Sequence, residues 1–224
     1  MAIIAENLSC IRQKIATTAI KAGRDVENVR LIAVSKTHDI AAVHEARAAG
    51  QRVFGENRVQ EAKAKFAALK AQRDDIELHL IGPLQTNKVE DAIRLFDVIQ
   101  TLDRPKLAEA LAKAMEKTGC RPRYYIEVNI GHEAQKAGIA PEDLGGFLGW
   151  CRSLSLEIDG LMCIPPQQGD AAGYFQRLKT LADDQGLSRL SMGMSGDFEI
   201  AIACGATDVR VGTAIFGARS KAEN

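Results

Sequence analysis

The chain has 224 residues, 46% of them hydrophobic and 26% charged, a composition that supports a buried core of ordinary size. Lys+Arg and Asp+Glu each number 29, so the net charge is zero and no basic excess points to a nucleic-acid partner. No apolar run approaches the length of a membrane span, and the five cysteines and four histidines show neither C-x-x-C nor H-E-x-x-H spacing, which argues against a metal site or a disulfide framework. The first residues lack a basic segment followed by a continuous apolar one, so a secretory signal is not expected and a cytoplasmic location is.

Ile4, Leu8, Ile11, Ile15 and Ala19 recur at helical spacing and predict an amphipathic helix ending near Gly23. Val29–Lys36 is an apolar run rich in β-branched residues, the pattern of a strand buried on both faces. Asp39 is placed to cap a second helix that Gly50 stops. RVFGEN from Arg52 predicts the next strand, and Arg58–Ala71 a charged helix. IELHLIGP predicts a third strand closed by Pro83, with Thr86 or Asn87 opening a helix. FDVIQTLD is the fourth strand, followed by a helix over Arg104–Lys117 that Gly119 ends. RYYIEVNI is the fifth, trailed by the glycine-containing loop GHEAQKAGI, with Pro141 opening a helix. LEIDGLMCIPP, RLSMGMS and DVRVGTAIFG are the sixth to eighth strands, separated by helices over Ala171–Asp184 and Asp197–Cys204.

Strand and helix alternate throughout, with short connections and no linker, as in one parallel α/β domain over residues 1–224. Eight strands in this length predict a (β/α)8 TIM barrel with an extra N-terminal helix. A doubly wound open sheet is the alternative, but no G-x-G-x-x-G follows the first strand.

In a barrel the carboxyl ends of the strands converge on one mouth, where ligands bind. Lys36 ends the first strand. Against apolar neighbours its amine would lose solvation and become a nucleophile toward an aldehyde, although a rim lysine reaching solvent fits the same stretch. After the seventh strand come Met192, Gly193 and Ser195; after the eighth come Gly212 and Thr213. Loops in these two places usually form the phosphate site of such barrels, through backbone N–H groups and hydroxyls. An aldehyde-reactive amine facing a phosphate cradle suits pyridoxal 5′-phosphate (PLP). Arg210 lies one step before the second loop, where a permanent donor would keep the pyridine nitrogen unprotonated and weaken the electron sink. A structural ion pair at the rim is the other reading of Arg210.

The segments LIAVSK, VFGENRVQE, HLIGPLQTNK, GLMCIP, SMGMSGDFEIAIACGAT and VRVGTAIFGAR resemble, in order, the YggS/PROSC family of PLP-binding homeostasis proteins. The resemblance implies a barrel like the alanine racemase N-terminal domain, with PLP held as a Schiff base (an internal aldimine) on Lys36. It places Ser195, Gly212 and Thr213 at the phosphate and Arg210 at the pyridine nitrogen, and maps Asn57 and His79 to the mouth. A hydrogen-bonded core histidine is an equal reading of His79. Lys136 matches a family lysine, for which either a solvated loop position or a part in cofactor transit fits, and Gln85 lies in a family stretch near the mouth. His38 stands where some relatives carry a second lysine.

The resemblance also implies a carrier that buffers PLP or passes it to PLP-accepting apoenzymes. An amino-acid racemase is the alternative, and a Schiff-base aldolase acting on a sugar phosphate a more distant one. Racemisation needs a second acid–base group, and Tyr124, Tyr125 and Tyr174 fall at a strand start and in a helix. In the related racemases that base comes from a separate C-terminal domain, which also builds the dimer, so a monomer is expected.

Overall fold

The computed structural model describes residues 2–72 and 75–217. Ala218 and Arg219, the end of the last family-like segment, lie outside the described residues. Eight parallel strands close into a barrel in sequence order: β1 (Arg30–Val34), β2 (Val53–Glu56), β3 (Glu77–Leu80), β4 (Val98–Leu102), β5 (Arg123–Glu127), β6 (Ile158–Met162), β7 (Arg189–Ser191) and β8 (Asp208–Val211). β8 pairs back onto β1, with Arg30 opposite Asp208 and Ala33 opposite Val211. This is the TIM barrel that the alternation predicted.

The helices lie between the strands: α1 (Ala2–Lys21), α2 (Ile40–Ala48), α3 (Val59–Ala71), α4 (Val89–Leu95), α5 (Pro105–Thr118), α6 (Leu144–Ser153), α7 (Ala171–Asp184), α8 (Phe198–Ala203) and α9 (Thr213–Phe216). Local chemistry sets several ends. The Asp39 carboxylate accepts from the Ala42 N–H and opens α2. Gly119, at φ +74°, closes α5 in the left-handed conformation that glycine adopts without a side-chain clash. One 3-10 turn, Thr86–Lys88, precedes α4, and another, Pro141–Asp143, precedes α6.

Every strand is shorter than the run that predicted it, and at β7 and β8 specific contacts give the reason. β7 stops at Ser191, because Gly193 at φ +88° turns the chain and gives its carbonyl to the Arg210 N–H. β8 stops at Val211, and TAIF, expected as strand, is the helical turn α9. The reason is tertiary: Ile215 is fully buried, its carbonyl accepts from Asn7 on α1 at 2.9 Å, and its N–H bonds to the Gly212 carbonyl. Helix α1 packs against α2, α8 and α9 and so fills the place where a full-length helix after β8 would lie.

The main core lies between the sheet and its helices. Inside the barrel a separate small apolar cluster holds Val98, Tyr125 and Met162. The other groups there include buried polar residues: His79, Gln100, Ser191, Asp208 and Arg210. Buried polar groups need fixed partners, and that need shapes the site.

Candidate functional site

At the carboxyl ends of the strands a cavity of about 300 Å³ is lined by eleven residues, with Lys36, Asn57, Ser195, Arg210, Gly212 and Thr213 as its chemical groups and Val34, Ile81, Ile164 and Met194 as apolar walls. Small-molecule sites start at about this size.

Lys36 lies two residues beyond β1, half-buried, in a turn that is braced from behind. The Lys65 ammonium on α3 donates to the carbonyls of Ser35 (2.8 Å) and His38 (3.1 Å) on either side of Lys36. It also pairs with Glu56 at 2.6 Å and Glu61 at 3.0 Å. Glu56, fully buried, accepts from the Ser35 hydroxyl at 2.7 Å. Burial raises the Glu56 pKa against the opposing pull of Lys65 and Ser35. Glu61 accepts from the Thr37 N–H and fixes that residue at φ +66°, a left-handed conformation rare for a β-branched side chain. His38 rests its ring on Phe216 of α9, with centroids 5.3 Å apart.

Asn57 follows β2, and its buried Oδ1 finds no hydrogen-bond partner among the described residues. Its backbone crosses so close to Gly82 that a Cβ there would sit 2.4 Å from the Asn57 carbonyl oxygen. A Cβ at Gly212 would lie 3.1 Å from the Val34 carbonyl, so glycine lets the loop after β8 close onto β1. Ser195 and Thr213 stand exposed at the rim.

Arg210 forms the cavity floor. It is 4% exposed, and its guanidinium donates to the Ser191 hydroxyl (2.7 Å) and the Cys163 carbonyl (2.8 Å), both neutral acceptors. Burial lowers its pKa from the usual arginine range. Burial, and then Asp103, push the Glu127 carboxyl at the end of β5 up to about 7, against the pull of Arg210.

Lys36, Asn57, Ser195, Arg210, Gly212 and Thr213 thus come together, whereas Met192 and His79 do not line the cavity. Met192 is fully buried, and Met194 takes the wall position, because the chain turns at Gly193. His79 lies inside the barrel with both ring nitrogens engaged, Nε2 to Glu77 at 2.6 Å and Nδ1 to Gln100 at 2.7 Å. It is the hydrogen-bonded core histidine of the second reading. Lys136 is no free loop lysine: it donates to the carbonyls of Ile164 (3.3 Å) and Pro165 (3.0 Å) and pairs with Glu133, tying two mouth loops together. Gln85 lines a neighbouring cleft of about 460 Å³ with Arg58 and Lys88. Sequence reasoning missed Lys65, although a signal existed: it falls on the face of α3 formed by Val59, Ala62, Phe66 and Leu69.

The alanine racemase N-terminal domain family matches residues 4–220. A Pseudomonas aeruginosa pyridoxal phosphate homeostasis protein is 45% identical over 98% of this chain and 97% of its own length. The Haemophilus influenzae protein of the same name is 40% identical over 97% and 96%. The chain belongs to the pyridoxal phosphate homeostasis protein family. Among solved structures, PipY of Synechococcus elongatus, without PLP, superimposes with a TM-score of 0.85 at 41% identity, covering 96% of this chain and 100% of PipY. PipY with PLP bound superimposes with a TM-score of 0.83. The homeostasis-family barrel also overlies alanine racemase from Clostridium difficile with a TM-score of 0.73 at 13% identity, a likeness of fold alone that covers 57% of the racemase.

Proposed function

We propose that this chain binds PLP covalently through Lys36 in the mouth cavity and holds it for intracellular PLP homeostasis, buffering the cofactor and passing it to apoenzymes. One observation carries the reading: a single cavity of about 300 Å³ gathers an amine, a guanidinium and two small-residue loops. The residues fit the group. Ser195 and Thr213 offer hydroxyls, and the loops at Gly196 and Gly212 offer close backbone approach, for a phosphate. The unpartnered Asn57 Oδ1 and the Arg210 guanidinium stand ready for polar groups of a ring. The relatives' names and PipY with PLP bound support the same ligand. When bound, PLP supplies an aldehyde carbon that condenses with a primary amine and loses water.

This chain's residues do the holding. The Lys65 brace keeps the Lys36 backbone in one conformation, so the amine does not swing with the loop. Val34, Ile81 and Ile164 exclude water from one side of the cavity. Arg210, a permanent donor, keeps any ring nitrogen that it meets in the acceptor state. A racemase would need acid–base groups on both faces of its substrate. Lys36 and Arg210 are the only ionisable side chains among the eleven that line the cavity. The tyrosines are spent elsewhere: Tyr125 donates to Asp208 and Tyr124 to the Met115 sulfur, both buried. Carriage is therefore the reading we favour.

The test is the absorption spectrum of purified protein before and after borohydride, followed by peptide mass analysis. A visible band that borohydride abolishes, with a pyridoxyl mark on Lys36 and no exchange of amino-acid Cα–H, supports carriage. Cα–H exchange would favour the racemase. A protein that stays colourless with added PLP would sink the proposal and leave a sugar-phosphate aldolase as the better reading.

A further inference from the structure

A continuous file of hydrogen bonds crosses the barrel from its amino-terminal face to the mouth. Arg210 Nη1 meets Ser191 Oγ at 2.7 Å, Ser191 Oγ meets Gln100 Oε1 at 2.7 Å, Gln100 Nε2 meets His79 Nδ1 at 2.7 Å, and His79 Nε2 meets Glu77 Oε1 at 2.6 Å. His79, Gln100, Ser191 and Arg210 are all buried, from 0 to 4% exposed. The four residues come from four different strands, β3, β4, β7 and β8.

The direction of this file is set by its ends. A guanidinium can only donate, and an ionised carboxylate can only accept. Glu77 is ionised across the ordinary pH range: burial pushes its pKa up, but the hydrogen bond from His79 and the guanidiniums of Arg30 at 2.7 Å and Arg123 at 3.2 Å outweigh it and hold the carboxyl well below the usual range. With a neutral imidazole, only one polarity then satisfies every link. Ser191 accepts from Arg210 and donates to the Gln100 carbonyl; the Gln100 amide donates to His79 Nδ1; and His79 Nε2–H donates to Glu77. Every acceptor in the file therefore faces Arg210, and aligned dipoles of this kind strengthen one another in a low-dielectric interior. A buried cation without a carboxylate in contact needs such an arrangement, and it also stops the guanidinium from rotating.

We infer that His79, Gln100 and Ser191 are positioning residues that lock the guanidinium plane of Arg210 so that its remaining N–H groups face the mouth. The inference rests on the proposal that Arg210 meets the ring nitrogen of PLP. It gives His79 a part in the site with no contact to the ligand, and it makes the far end of the barrel, Glu77, the anchor of the cavity floor.

The test uses full-length Gln100→Met, Ser191→Ala, Gln100→Glu and Arg210→Met proteins. Three quantities are read: the melting temperature without PLP, the Kd for added PLP, and the position and pH midpoint of the visible band. Losing the Ser191 bond to the Arg210 guanidinium predicts roughly tenfold weaker PLP binding in Ser191→Ala. Gln100→Met leaves the Ser191 hydroxyl without its acceptor and should weaken binding in the same direction, and both variants should shift the band midpoint. Gln100→Glu keeps an acceptor for the Ser191 hydroxyl but loses the donor to His79 Nδ1, so it should bind PLP more tightly than Gln100→Met and less tightly than the parent. Ser191→Ala, which removes a single oxygen, keeps the test open should Gln100→Met fail to fold. If Arg210→Met changes Kd and band while Gln100→Met and Ser191→Ala move only the melting temperature, the inference is overturned and the PLP reading stands. If Arg210→Met itself leaves both unchanged, Arg210 does not meet the ring and the inference falls, while PLP binding through Lys36 stands on its own band and pyridoxyl mark.

Discussion

Replacing Lys65 by methionine removes a buried ammonium and leaves Glu56, itself fully buried, without its counter-charge. Removing one partner of a buried pair typically costs about 3–5 kcal/mol, because the other charge stays in low dielectric. A carboxyl can escape by taking up a proton, which ties the cost to pH. Burial already raises Glu56 above its ordinary value of 4.5, and Lys65 is the main opposing influence, so its removal carries the folded-state pKa further up. For an acid whose folded pKa exceeds its unfolded one, the native state binds the extra proton, and stability falls as pH rises through the interval between the two. The loss is then limited to about 1.4 kcal/mol per pH unit above 4.5: under about 1 kcal/mol at pH 5 and up to about 4 kcal/mol near pH 7.5. Urea unfolding of Lys65→Met at pH 5 and pH 7.5 reads this directly, and adding Glu56→Gln should recover at least half of the neutral-pH loss. The yield of borohydride marking on Lys36 should drop in parallel, since the Ser35 and His38 carbonyls lose their common donor. A penalty equal at both pH values, or a double variant no better than the single one, would refute the assignment of Lys65 as the brace.

Two further perturbations test other parts of the mouth. Carrying the Glu127 carboxyl from 4.5 to about 7 costs on the order of 3 kcal/mol of stability once the pH exceeds 7, lost as pH rises between those values. Glu127→Gln should therefore show a flatter stability profile from pH 5 to 8, and a slope matching the parent protein would count against the burial of that charge. Gly82→Ala forces a Cβ to within 2.4 Å of the Asn57 carbonyl oxygen, so the backbone must move. The expected cost is about 1–3 kcal/mol in urea unfolding, with weaker binding of added PLP. Unchanged values of both would show that the close crossing is not needed.

The barrel was legible because its signals are local. Apolar runs marked the strands, while Asp39, Gly50 and Gly119 punctuated the helices with chemistry that does not depend on the rest of the fold. The strand ends that gather at the mouth followed from the closed order alone, which is how Lys36, Asn57, Ser195 and Thr213 could be named. What stayed hidden depends on partners far apart in sequence. TAIF has the β-branched pattern of a strand, and only the packing of Ile215 and its bond from Asn7, 208 positions away, makes it a helical turn. Ser191 bonds Gln100 across 91 positions, and Tyr125 bonds Asp208 across 83. Nothing near these residues announces such pairings. His79 and Lys65 carried a weaker signal, each a polar group set in an apolar pattern. That pattern shows that a partner must exist but not which one.

The distribution of charge between the two ends of the barrel gives the fold its polarity. At the amino-terminal end Arg30 pairs with Asp208 and Glu77, both at 2.7 Å, and Arg123 with Glu77 and Asp159, both at 3.2 Å, so cations and carboxylates neutralise each other there. At the mouth the cavity lining carries Lys36 and Arg210 and no carboxylate. A chain with no net charge overall thus carries two cations in the lining of its mouth cavity. Low-dielectric walls focus such a field and draw an anion toward it. The hydroxyl residues of the lining, Ser195 and Thr213, are neutral and exposed, so the pull on an anion comes from the floor rather than from a clamp at the rim. A site built for turnover gains from closing over its ligand, whereas a carrier must also let go. An open rim of hydroxyls above a fixed cationic floor permits both capture and release.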